Sequence, residues 1–112
     1  MCKGDVEMKY KLFRSLGSLD KDVRKHELVA VEYGDSILDV EDALVKDAAD
    51  DLAGDPQYAG CATSAYAPEP VRSFRRVKRY AYEMMGIVSP PNASKNVLID
   101  FGIVEEPEER KA

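Results

Sequence analysis

Val71-Arg72-Ser73-Phe74-Arg75-Arg76-Val77-Lys78-Arg79-Tyr80-Ala81-Tyr82-Glu83-Met84-Met85-Gly86 is the stretch on which the fold turns. Its apolar residues Val71, Phe74, Val77, Ala81 and Met84 or Met85 recur at spacings of three and four, the period of one helical face. Pro70 stands just before it, where a missing N–H costs nothing, and Gly86 follows it as a C-terminal glycine would. The pattern therefore predicts a helix over 71–85. Its bases, Arg72, Arg75, Arg76, Lys78 and Arg79, fall largely on the complementary arc, and residues 72–79 contain no acid.

Working outward, Val40, Leu44, Ala48 and Leu52 recur every fourth residue, with Ala43 beside them. Asp39 can cap this second helical pattern, Gly54 ends it, and Asp55-Pro56 prevents its continuation. Early acids suit the N-terminal end of a helix dipole, but Asp50 and Asp51 lie at the unfavourable end. Something positive is expected near them.

The flanks read as strands. Val6, Met8, Tyr10 and Leu12 alternate with Glu7, Lys9 and Lys11, the period of a half-buried strand, and Gly17-Ser18 breaks the pattern. Leu28-Val29-Ala30-Val31-Glu32-Tyr33 is a second strand, more continuously apolar and so expected to be the more buried. The two most simply pair antiparallel. Asn96 to Val104 is the strongest strand signal, with Val97, Ile99, Phe101 and Ile103 on one face and Gly102 marking a bulge or a close backbone approach. Glu105 to Ala112 reads as a charged tail. Between the two helical patterns, Gly54 to Pro70 lacks clear periodicity and is read as a long inter-helix loop. A short strand at Cys61 to Tyr66, with Ala62, Ser64 and Tyr66 on one face, is the alternative.

The expected architecture is a single α+β domain over residues 1–112, in the order β-β-α-α-β. An antiparallel or mixed sheet would carry two helices packed on one face. Hydrophobic residues make up 45% and charged residues 33%, the balance of a globular domain rather than a disordered or fibrous chain. No apolar run reaches the roughly 18 to 20 residues that span a bilayer, and the first residues lack the apolar core of a signal peptide. Cys2 and Cys61 are the only cysteines, which excludes a disulfide scaffold and points to a reducing compartment, the cytoplasm.

Charge is segregated. The formal net charge is −5, yet residues 35–55 hold eight acids against Lys46, while residues 72–79 hold five bases. Long-range repulsion from nucleic acid or anionic lipid confines any such contact to the basic octet.

Catalytic parts are few. His26 is the only histidine, and neither a CxxC pair, an HExxH motif nor a phosphate-binding glycine loop is present, so no metal or cofactor is expected. Cys61 could act as a nucleophile if His26 or the arginines lowered its pKa; otherwise it is a small buried hydrophobe. Arginine and tyrosine are the residue types enriched at interface hot spots. Partner contacts are therefore expected at Arg72, Arg75, Arg76 and Arg79, and at Tyr58 and Tyr66 in the long loop. The function expected is a non-enzymatic protein-interaction or assembly subunit, able to self-associate through charge-complementary helices and the loop. The alternatives are a nucleic-acid-binding regulator that uses the basic helix over 71–85, and a small enzyme that uses Cys61.

Overall fold

The computed structural model describes residues 6–15, 26–71, 80–92 and 94–109. Strand β1 (Val6–Ser15) runs antiparallel to β2 (His26–Gly34), as expected, with Tyr10 opposite Glu32 and Leu12 opposite Ala30. A shift between Leu12 and Phe13 makes Val29 the extra residue of a β-bulge. Helix α1 (Ile37–Ala53) follows, then a one-turn 3-10 helix at Pro56–Tyr58. The chain returns to the sheet as β3 (Ala62–Ala65), β4 (Glu69–Pro70), β5 (Tyr82–Ser89) and β6 (Val97–Glu109). The strand order is β2-β1-β6-β5-β3, with β4 also on β5 and every pairing antiparallel.

The sheet curls into a half-barrel. Helix α1 crosses its hollow and lies against both β2 and β3, the two ends of the strand order. Its 17 residues span about 26 Å at 1.5 Å per residue, enough to bridge the opening. The fourth-residue stripe is the buried face: Val40, Leu44, Ala48 and Leu52 pack on Tyr10, Leu12, Met84, Val88, Phe101 and Ile103. Asp39 caps the helix from inside its first turn, its carboxylate accepting the backbone N–H of Asp35 at 3.0 Å and of Ser36 at 3.2 Å.

The expected α+β layering, two helices packed on one face of a sheet, gives way among the described residues to a mostly β fold with one helix. Residues 72–79 lie outside the described residues, and Tyr82–Met85 is the first half of β5. Alternation decides the outcome there. Met84, Gly86 and Val88 face the hollow and are buried, while the residues between them face outward. Gly86 is therefore not a helix terminus but a mid-strand gap. A Cβ at this position would stand 2.7 Å from both Leu52 Cδ1 and Phe101 Cε1. Gly102 plays the same part on the outer face, where a Cβ would meet the Tyr80 ring at 2.7 Å. The close approach, not the bulge, is the reason for that glycine. Tyr80 itself is 4% exposed and meets Phe13 edge-on at 5.8 Å between ring centroids.

Three further expectations change. Hydrophobic continuity mis-ranked the first two strands: β1 carries fully buried Tyr10 and Leu12 in mid-sheet, whereas β2 is an edge that exposes Leu28 and Tyr33. The supposed tail continues β6 through Glu109, pairing Glu105 with Tyr10, Glu106 with Lys9 and Glu109 with Val6. The inter-helix loop contains β3 and β4, so the rejected short strand is the correct reading. Ala62, Ser64 and Tyr66 do alternate to one side, and that side faces solvent.

Candidate functional site

The long segment after α1 is fixed to the fold at both ends. Asp55 caps the 3-10 turn by accepting the Gln57 N–H at 2.9 Å, and the Thr63 hydroxyl donates to the Ala49 carbonyl of α1 at 2.8 Å. β3 then pairs Ala65 with Gly86, and β4 pairs Glu69 with Glu83. Between those pairs, three residues (Tyr66, Ala67, Pro68) run alongside two on β5 (Met84, Met85). The surplus residue bows the chain away from the edge, and Pro68 has no N–H to offer the ladder. One bond, Tyr66 N–H to the Met85 carbonyl at 2.9 Å, pins the start of the bow.

The bow opens a groove of about 420 Å³, lined by Tyr66, Ala67, Glu69, Glu83, Met84, Met85 and Asp100. Tyr66 is 62% exposed and forms a lip. Met85, on the outward side of β5, supplies a soft, polarizable floor. Register gathers three carboxylates around it: Glu69 lies directly opposite Glu83, and Asp100 directly opposite Met85. Glu69 and Asp100 make part of its rim acidic, and a cation arriving there forms charge-assisted contacts with them. The arrangement suits a lysine or arginine side chain, whose stem lies on Tyr66 and Met85 while its head meets carboxylate. Among the described residues, no three His, Cys, Asp or Glu side chains are placed to hold a metal ion.

Compared with known protein families, with curated proteins and with solved structures, this chain matches none.

A second, more polar cavity of about 300 Å³ lies between β1, the 3-10 turn and the start of β6, lined by Arg14, Ser15, Gln57, Tyr58, Leu98, Ile99 and Asp100. Arg14 occupies it as an internal clasp, reaching Asp51 at 3.2 Å and Asp55 at 2.8 Å, with its guanidinium 5.9 Å from the Tyr58 ring centroid. Burial opposes its charge, but the hydrogen bonds and charges of Asp55 and Asp51 outweigh that and hold its pKa above the usual value. The Gln57 N–H, and then Arg14, hold the Asp55 carboxyl below the usual carboxylate range. Arg14 is thus the positive group expected near Asp51, while Asp50 is met by Lys46 of α1 itself.

The expected site residues are thus divided. Tyr66 lines the groove, whereas Tyr58 is half-buried with the Arg14 guanidinium over its ring. Arg72, Arg75, Arg76 and Arg79 lie outside the described residues. Several acids of α1 and its flank are engaged at home: Asp39 in the cap, Asp51 and the following Asp55 with Arg14, and Asp50 with Lys46 at 2.8 Å. Cys61 is a half-buried free thiol packed against the core, its N–H donated to the Tyr58 carbonyl. Glu69, Glu83, Met85 and Asp100 escaped the sequence reading because only strand register brings them together. The surviving signal was the unperiodic Gly54–Pro70 segment itself.

Proposed function

We propose that this chain is a non-enzymatic interaction subunit of the cytoplasm that self-associates, the groove of one copy receiving the arginine-rich segment of another. The observation that carries this reading is the groove on β5, with Tyr66 and Met85 as its apolar part and Glu69 and Asp100 at its rim. Charge complementarity supports a second copy as occupant, since the same chain offers five bases and no acid over 72–79. Arginine supplies planar, bidentate contacts to carboxylates. The two cysteines, without a disulfide scaffold, support a reducing compartment. No helix among the described residues is long and apolar enough to cross a membrane.

Sedimentation of the full chain at low and moderate salt tests this directly. Mass should rise with protein concentration at low salt and fall as salt screens the contact. The double variant Glu69→Lys/Asp100→Lys should remain monomeric with an unchanged circular dichroism spectrum. A synthetic peptide spanning 71–80 should bind the wild type and not the variant. A chain that is monomeric at low salt and high concentration, and that ignores the peptide, overturns the proposal. If the same monomer shifted a nucleic acid, the function would move to the basic octet.

A further inference from the structure

Away from the groove, at the opposite edge of the sheet, β2 meets α1 through two acids. Glu32 lies on the face of β2 that looks into the hollow, opposite Tyr10 of β1. It is half-buried, and its carboxyl is within hydrogen-bonding reach of Asp47 on α1. Asp47 is half-buried too, and its Oδ2 is fully enclosed with no hydrogen-bond partner. Two carboxylates that share a half-buried space repel, and a single proton between them turns repulsion into a hydrogen bond.

Among the described residues, the groups that could neutralise them from neighbouring elements are occupied elsewhere. Lys46, next to Asp47 on α1, extends to Asp50 at the surface. Arg14, on β1, is held by Asp51 and Asp55. The Tyr10 hydroxyl, opposite Glu32, donates to Glu105 Oε2 of β6 at 2.8 Å. Asp39, one turn from the start of α1, accepts backbone amides. Lys9 and Lys11 alternate with Tyr10 and so project from the other face of β1, where Lys11 meets Glu106 at 3.2 Å.

We propose that Glu32 and Asp47 form a proton-operated latch, one shared proton tying α1 to the β2 edge and its loss loosening the helix from that edge. The hydrogen bond to Asp47, burial and the Asp47 charge together raise the Glu32 pKa from 4.5 to about 7. The sign follows from that elevation. A group whose pKa is raised by folding contributes stability that is complete below its unfolded value and lost as pH climbs through its folded value. The latch is therefore closed in mild acid and open above neutrality, the reverse of ordinary acid denaturation. The other side of the helix stays anchored through Thr63 and the Arg14 clasp, so release is confined to the β2 side.

The test measures thermal midpoints of the wild type, Glu32→Gln and Asp47→Asn between about pH 5 and pH 8, together with the carboxyl carbon shift of Glu32 by NMR. Wild type should lose roughly 5 °C across that window. Each amide variant keeps a donor between the two groups without a titratable proton, and should show a flat profile that lies above wild type at the alkaline end. The Glu32 carboxyl should titrate near neutrality in the wild type, and in Asp47→Asn it should return to the ordinary carboxylate range. If Glu32 titrates in the ordinary range in the wild type, or if Glu32→Gln retains the wild-type slope, the latch does not exist. The NMR titration stays decisive even if one variant folds poorly.

Discussion

Gly86 shows how one missing methyl sets the depth of a core. Leu52 from α1 and Phe101 from β6 both enter the space that its side chain would fill. Gly86→Ala should therefore destabilise the domain by about 1–3 kcal/mol through overpacking, read as a lower urea midpoint with an unchanged slope. Adding Leu52→Ala should recover part of that loss instead of summing with it, because the two residues compete for one volume. In the sequence the same glycine is ambiguous. Following Met84-Met85 it has the look of a helix end, and nothing local reveals that a leucine from 34 positions upstream needs its place. Arginine 14 is the opposite case. Two acids at the unfavourable end of α1 announced a cation, though only the fold says which one.

At the scale of elements, α1 was readable because four residues at one spacing leave a helix no other face to bury. β1, the body of β2 and the core of β6 were readable from alternation or from β-branched runs. The stretch ending at Met85 was misread because two periods coexist in it. Val71, Phe74, Val77, Ala81 and Met84 mark a helical face, while Tyr82, Met84, Gly86 and Val88 mark a strand face. Pairing with β6 settles the contest, and pairing partners are a non-local quantity that local periodicity does not contain. The end of β6 was lost for a related reason. Glu105, Glu106, Glu108 and Glu109 carry charge rather than apolar alternation, yet they stay in the ladder, with Tyr10 buried against Glu105 and Lys11 bonded to Glu106. Ending the chain after Val104 tests that view. A solvated tail could be removed without effect. As a strand, its loss should lower the thermal midpoint by roughly 5–10 °C and remove hydrogen-exchange protection from the first half of β1. The groove was hardly legible at all, since it arises from a count, three residues against two, between segments about 17 positions apart.

Across the whole molecule, most of the stabilising pairings join distant parts of the chain. Tyr10 and Glu105, which share a hydrogen bond, are 95 positions apart. Such topology delays folding, because the loop entropy of closing β1 onto β6 precedes any gain from it. Refolding from urea should accordingly take milliseconds to seconds, with protection at the β1–β6 ladder and the β5–β6 ladder appearing together in pulsed hydrogen exchange. Early isolated protection of α1 would contradict this, since its buried face needs both halves of the sheet. The strand order also bears on biosynthesis. Of the described strands β6 is the last in chain order, yet it sits between β1 and β5. Before β6 emerges, β1 and β5 each lack one of the strands they pair with in the finished sheet. The sheet is therefore not complete until β6 is in place. Until then the growing polypeptide is a natural client for whatever shields unfinished sheets in the cell.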